Sequence, residues 1–273
     1  MKKMLTLILM LLLAGSMAWA GNTGNVTQSG DDNVATISQT GDDNDADQTQ
    51  IGDDNNATVN QNGDDNDATQ AQTGDLEVAY IYQEGEGNTA NQIQASSSNW
   101  ANIYQVGADN TASEIQSGND NDAWIYQYGN TNGAVQIQLG NNNWAWVYQY
   151  GNTNGASQSQ TGDWNGAWIY QDGNLNLVTT QTQVGNSNSA WVEQLGNEND
   201  ADQLQVGDGN SAGIYQEGDE NDADQSQSGD GNYAYAYQVG DENSSSQTQT
   251  GDAHSSAVSQ YGDDNTSTVV QSP

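Results

Sequence analysis

Residues 118–139 read GNDNDAWIYQYGNTNGAVQIQL. Gly118 and Gly129 divide the stretch into two units of eleven residues. Each opens on Gly with Asn, Asp or Thr, which is turn chemistry. Each continues as a strict alternation, the period of a β-strand. In the first unit Asn121, Ala123, Ile125 and Gln127 share one side, and Asp122, Trp124, Tyr126 and Tyr128 the other. In the second, Asn132, Ala134, Gln136 and Gln138 hold the side facing inward. The two inward sets differ at one place, Ile125 against Gln136.

That difference recurs along the chain. With Gly as position 1, residues 30–272 form 22 units of the form G-x-x-N-x-A-x-(I/V or Q)-x-Q-x, with one extra residue in the stretch 177–180, between Asn176 and Gln181. Position 10 is Gln in all 22 units, position 4 is Asn except at Glu77 and His254, and position 1 is Gly except at Ser96. Position 8 is aliphatic in every odd unit, from Ile37 and Val59 to Ala236 and Val258. In even units it is Gln, except at Glu114 and Val269. Equivalent environments therefore return at every second unit, with a period twice that of the Gly.

Two architectures fit short strands at this spacing: an antiparallel meander closed as a barrel or sandwich, and a solenoid in which two units make one rung. Only a two-sided rung requires strands to be equivalent two apart. The expectation is an all-β, two-sheet β-solenoid of about 11 rungs with cross-β stacking, a rod of roughly 53 Å at about 4.8 Å per rung. Its inward ladder comprises Asn33, Gln39, Asn44, Gln48, Gln50, Asn121, Gln127, Asn132, Gln136, Gln138, Asn221, Gln225 and Gln227. Each such amide carries donor and acceptor and can bond its copies in the rungs above and below.

Composition narrows the function. The 273 residues hold 2 Lys+Arg against 37 Asp+Glu, no Cys and one His. Phosphate neutralisation needs the cations this chain lacks, so no nucleic-acid partner is expected. Without Cys there is no disulfide framework or thiolate metal site. Residues 1–20 combine Lys2 and Lys3, the apolar run Met4–Ala14 and Ala18-Trp19-Ala20, and read as a secretory signal peptide. Its apolar run is shorter than the about 20 residues that span a bilayer. Both Lys residues fall within this segment, so cleavage after Ala20 leaves all 37 acids and no Lys or Arg. Residues 21–29 read as a half-unit, with Val26 at position 8 and Gln28 at position 10.

The run Q-x-G-x-x-N-x-A-x-x-x-Q, as in Gln39, Gly41, Asn44, Ala46 and Gln50, resembles the curlin repeat of bacterial curli fibres. Ile125-Tyr126-Gln127-Tyr128-Gly129 is similar to the same family's I-Y-Q-Y-G stretch. The resemblance implies a secreted subunit that polymerises as a functional amyloid in the biofilm matrix. It also implies export through an outer-membrane channel and nucleation by a related minor subunit. The family's Gly-rich leader has no counterpart ahead of the first repeat, where only residues 21–29 stand. The lack of basic residues points to a main subunit rather than a nucleator.

Three features lie outside the scaffold. Outward positions 7 and 9 of odd units carry Tyr80, Tyr82, Tyr104, Trp124, Tyr126, Trp146, Tyr148, Trp168, Tyr170, Trp191, Tyr215, Tyr235 and Tyr237 on one sheet. Stacked rings there favour a strand ladder, a lateral interface between filaments, or a platform for sugar rings and apolar surfaces. A monomeric adhesin binding carbohydrate through this face is the alternative function. Acids form the second feature: Asp43, Asp45 and Asp47 beside Asp65 and Asp67, and Glu198, Asp200 and Asp202 beside Glu220, Asp222 and Asp224. Like charges one rung apart repel, and oxygen ligands at this density are candidates for Ca²⁺, although the spacing matches no calcium loop. A solvated acidic face that keeps monomers soluble before assembly is the plainer reading of them. Third, no acid falls between Asp122 and Asp163, whereas both ends are acidic. For catalysis there is no nucleophile motif or phosphate loop, and His254 is read as a substituted ladder Asn; no enzyme and no other cofactor are expected.

Overall fold

The computed structural model describes residues 9–13 and 21–273. The rest of the expected signal segment 1–20 lies outside the described residues. Two parallel sheets of 12 strands make up the structure. The odd sheet contains β1 (Leu9–Leu13), β3 (Val34–Thr40), β5 (Asn56–Asp64), β7 (Val78–Glu86), β9 (Trp100–Ala108), β11 (Asp122–Tyr128), β13 (Trp144–Tyr150), β15 (Gly166–Asp172), β17 (Ser189–Leu195), β19 (Ser211–Glu217), β21 (Tyr233–Val239) and β23 (Ser255–Tyr261). The even sheet contains β2 (Thr23–Ser29), β4 (Asp45–Ile51), β6 (Asp67–Asp75), β8 (Thr89–Ser97), β10 (Thr111–Asn119), β12 (Gly133–Leu139), β14 (Gly155–Thr161), β16 (Thr179–Val184), β18 (Asp200–Val206), β20 (Asp222–Ser228), β22 (Ser244–Thr250) and β24 (Thr266–Gln271).

Consecutive strands lie on opposite sheets, and every strand pairs in parallel with the strand two ahead. A meander would pair neighbours in sequence, so the chain is a β-solenoid of about 11 turns, two strands to each turn. Register joins like to like: Ala123 to Ala145, Ile125 to Val147, Gln127 to Gln149.

The turns explain the Gly. Gly129 has φ of 120°, and a Cβ there would sit 1.9 Å from the carbonyl oxygen of Gly151, one rung on. Position 3 is left-handed as well, at φ near 55° in Asp32 and Asn142, a conformation Asn and Asp tolerate better than most residues. The amide of Thr131 donates to the carbonyl of Ala108 at 2.9 Å, so the turns carry the backbone ladder on between strands.

Packing gives position 8 its alternation. One buried cluster joins the aliphatic residues of the odd sheet, such as Ile81, Ile103 and Ile125, to the Ala residues of the even sheet, such as Ala90, Ala112 and Ala134. A branched side chain on one sheet thus fits against a methyl on the other. The even-sheet Gln at position 8 reaches across instead: Gln136 Nε2 donates to the carbonyl of Trp124 at 3.1 Å. The step of 23 residues falls between Gln158 and Gln181. There Leu177 and Val178 loop out half-exposed, and Thr179 takes the inward place opposite Ala201.

Candidate functional site

Inside the rod the amides form continuous chains. Gln105 donates to Gln127, and Gln127 to Gln149, both at 2.9 Å. Each Gln Nε2 spends its other hydrogen on the facing sheet, as Gln127 does on the carbonyl of Thr111 at 3.1 Å. Even-sheet chains run the same way, Gln48 to Gln70, Gln50 to Gln72, Gln136 to Gln158, Gln138 to Gln160, Gln225 to Gln247 and Gln227 to Gln249, at 2.8–3.0 Å. Asn chains run in the opposite sense: Asn132 Nδ2 donates back to Asn110 Oδ1 at 3.0 Å and forward to the carbonyl of Gly151 at 2.9 Å. Asn33, Asn44, Asn121 and Asn221 are buried in the same columns, while Gln39, in the outermost full rung, is only half-buried. A neutral hydrogen bond nets about 1 kcal/mol, but an orphaned buried partner costs about 1–3 kcal/mol. Such chains therefore reward continuation and penalise interruption.

Their polarity makes the two ends of the rod unlike. At the first rungs Gln28 and Gln39 give their N–H groups to Gln50 and Gln61, and no donor reaches their Oε1 among the described residues. At the last rungs Gln260 and Gln271 donate only to the carbonyls of Ser244 and Ser255, so each keeps one N–H. In the glutamine columns one end offers acceptors and the other donors.

The aromatic residues named from sequence lie on the outer side of the odd sheet. Tyr126 stacks on Tyr148 with centroids 4.7 Å apart, Tyr82 on Tyr104 at 4.5 Å and Tyr215 on Tyr237 at 4.8 Å. Trp168 and Trp191 stack at 5.7 Å, and Trp124 meets Trp146 edge-on at 5.0 Å. Tyr80 and Tyr235 flank these columns, and Glu193 breaks one between Tyr170 and Tyr215. Positions 5 and 11 contribute too, which the positions 7 and 9 alone do not reveal: Tyr128 stacks on Tyr150 at 4.9 Å. Trp144 leans over Gly166, whose missing side chain leaves the room. Trp124, Trp144, Trp146, Trp168 and Trp191 with Asp122 line an open, shallow trough of about 750 Å³. Burial, then neighbouring Asp120, raises the Asp122 carboxyl above its ordinary value.

Stacked acids are accommodated rather than simply opposed. At position 2 an Asp carboxylate accepts a backbone N–H from the preceding rung, as Asp53 does from Asp31 at 2.7 Å and Asp241 from Asp219 at 2.9 Å. Asn takes the same role, Asn152 accepting from Asn130 at 3.0 Å. The strand acids form columns: Asp45 beside Asp67, Asp200 beside Asp222, Asp202 beside Asp224. Asp43, Asp65, Glu198 and Glu220 occupy left-handed turn corners, and Asp47 stands beside Thr69. Among the described residues no three His, Cys, Asp or Glu side chains converge as a metal site needs. The acidic clusters read as candidate Ca²⁺ ligands are columns, not cages. Burial first, then the neighbouring acids, raises the carboxyls of Asp67, Asp222 and Asp224.

Two acids stand inside the ladders. Glu77 takes an Asn place and accepts two bonds from Asn99, at 2.9 and 3.0 Å; burial nevertheless pushes its carboxyl up to about 7. Glu114 takes a Gln place and accepts from Gln92 at 2.8 Å, and burial raises it well above the ordinary range. His254 occupies the Asn column, its amide bonded to Asn232 Oδ1 at 2.9 Å and its Nε2 beside the carbonyl of Thr250 at 2.9 Å.

The laddered rung of Gly, Asn, Ala and Gln is what the comparison with known families recognises. The curlin associated repeat matches residues 20–52, 41–74, 63–91, 118–151, 196–224, 218–246 and 248–272. The chain belongs to the curlin associated repeat family. No curated protein matches it as a relative. A curlin repeat chain is a curli-type structural subunit, and here each matched segment spans more than one turn of solenoid, built from half-turns whose motif residues are the turn Gly and the inward Asn, Ala and Gln.

Proposed function

We propose that this chain is a secreted curlin-type subunit that assembles head to tail into extracellular amyloid fibres, serving adhesion and aggregation in a biofilm matrix. One observation carries the reading: among the described residues no donor reaches the Oε1 atoms that end the glutamine chains at Gln28 and Gln39, and spare donors stand at Gln260 and Gln271. A second copy placed end to end supplies each with its complement. Open sheet edges are ordinarily a liability in a folded protein; in a subunit they are the means of growth. The signal segment 1–20 directs secretion, export runs through an outer-membrane channel, and a curlin-like minor subunit nucleates growth. No catalytic group is required of the chain. Fibre diffraction and negative-stain microscopy on residues 21–273 after incubation test the proposal. Unbranched fibres with reflections at about 4.8 Å and about 10 Å support it, and a monodisperse β-rich monomer overturns it.

The tryptophan trough favours a second reading, a solenoid that stays monomeric and binds carbohydrate or apolar surfaces through its aromatic face. Sedimentation at neutral pH separates the two, since a binding module keeps a fixed mass.

A further inference from the structure

Strand parity determines how two copies can meet. Taken as the subunit, residues 21–273 contribute the described strands β2 to β24, 23 in number, and the two outermost both lie in the even sheet. Consider a second copy stacked by translation alone, even sheet on even sheet. Its β2 then adds to β24, and its β3 stands one strand beyond the edge of β23. An empty slot one strand wide remains in the odd sheet, with unpaired backbone groups on both sides. Moving the copy closer to fill that slot drives its β2 into β24.

Turning the second copy by half a revolution about the rod axis removes the conflict. Its β2 then adds to β23 and its β3 to β24, and the solenoid continues as though one chain ran through the junction. The residues at the ends match this arrangement. Pro273 already stands beside Gly251, one full rung earlier, at the place where a further unit begins. Gly21 and Asn22 are positions 3 and 4 of the half-unit that ends in β2.

The position 8 columns agree. Val26 and Val269 are the even-strand residues that put an aliphatic side chain where the even sheet otherwise carries Gln or Glu114. After the half-turn Val26 lies on Val258, the last member of the aliphatic odd column, and Val269 lies on Ile37, the first. Both terminal Val residues thus join aliphatic columns. Within one copy Val26 instead faces Gln48, whose Oε1 is buried without a partner. The spare donors of Gln260 and Gln271 meet the Oε1 acceptors of Gln28 and Gln39.

We infer that successive copies in the fibre are related by a half-turn screw about the solenoid axis, with β23 pairing β2 and β24 pairing β3 of the next copy. This rests on the head-to-tail reading above and on removal of residues 1–20, because β1 on β3 makes the two sheets equal in strand number. An advance of 23 half-rungs is about 55 Å at about 4.8 Å per rung. The aromatic face then alternates sides along the fibre, copy by copy.

The chain has no Cys, so engineered pairs report the junction directly. In-register neighbours on adjacent parallel strands lie within the about 4.4–6.8 Å Cα separation a disulfide spans. The half-turn puts Thr27 beside Ser259 and Ser38 beside Val270, whereas translation puts Thr27 beside Val270. All four side chains lie on outer faces, so the substitutions leave the columns intact. Fibres of T27C/S259C and of S38C/V270C, oxidised after assembly, are expected to give ladders of linked chains on non-reducing gels, and T27C/V270C only single chains. Ladders from T27C/V270C alone, or from none of the three, overturn the half-turn. Failure of the unsubstituted chain to form fibres instead overturns the head-to-tail reading on which it stands.

Discussion

Glu114 of β10 stands in register with Gln136 of β12, and the Oε1 atoms of both are buried without a partner. Gln92 donates to Glu114 Oε2, but a carboxylate has no N–H to pass to Gln136. A proton on Glu114 Oε1 supplies the missing donor and makes the side chain behave as the Gln it replaces. Burial raises the Glu114 carboxyl well above its ordinary range and so favours that proton; Tyr126 is raised by its own burial first, then by Tyr148 and Glu114.

Stability is therefore expected to fall as pH rises. An unfolded Glu titrates near 4.3, so a raised folded value contributes fully below about pH 4 and is lost as pH climbs through the folded pKa. For Glu77 the loss runs up to and through about 7; Glu114 is raised in the same direction by its burial. Asp67, Asp122, Asp222 and Asp224 shift in the same direction. Urea midpoints measured from pH 5 to 8 should decline steadily. Glu114→Gln should raise the midpoint at pH 8 and flatten the slope; a midpoint that rises with pH contradicts the assignment.

Ser96 holds the position 1 place at φ of 104°, where every neighbouring unit has Gly. A side chain in that region costs about 1–3 kcal/mol, of which the freer unfolded chain of a Gly variant returns about 0.4–1 kcal/mol. Ser96→Gly should stabilise the fold by about 1 kcal/mol net, read as a higher thermal midpoint, and Gly129→Ala should destabilise it by more. Equal midpoints for Ser96→Gly and the parent would show that the turn has relaxed around the serine.

Gln127 receives from Gln105 and donates to Gln149 and Thr111. Gln127→Leu keeps the volume and orphans a donor below and an acceptor above, at about 1–3 kcal/mol each. Denaturation should show a loss several times that of Ser113→Ala on the outer face. Comparable losses would mean that the chain of amides carries no special weight.

Thr179 closes the gap left by the looped-out Leu177 and Val178. Its hydroxyl donates to Gln194 at 2.7 Å and accepts from Gln171 at 2.9 Å. Thr179→Val should cost about 1–2 kcal/mol through these lost bonds, read as a shift in urea midpoint, whereas Thr180→Val, on the outer face beside Asp202, should cost less.

Trp146 and Trp168 line the trough but touch neither end of the rod. Trp146→Ser with Trp168→Ser should leave seeded elongation unchanged while reducing bundling or surface adhesion, followed by thioflavin fluorescence and by filament width. Slower elongation would place the aromatic face in the growth step.

The alternation of inward Asn, Ala, Ile or Gln, and Gln with outward residues, and the return of Ile125-like and Gln136-like units at every second repeat, determined the solenoid from sequence alone. A periodic chain with one inward face per strand has few ways to bury it, and register by like pairs excludes the slips. Tertiary structure decided what spacing leaves open. The sense of the Gln and Asn chains depends on which amide hydrogen points along the rod. Trp144 reaches the trough only because Gly166, one rung away, has no side chain. The turn acids are held by backbone N–H groups of the rung before, a relation across one full turn that charge counting reads as repulsion. Glu114 looks in sequence like one acid among 37; only its position between Gln92 and Gln136, away from water, shows it as a link in a chain of amides where burial favours the protonated form.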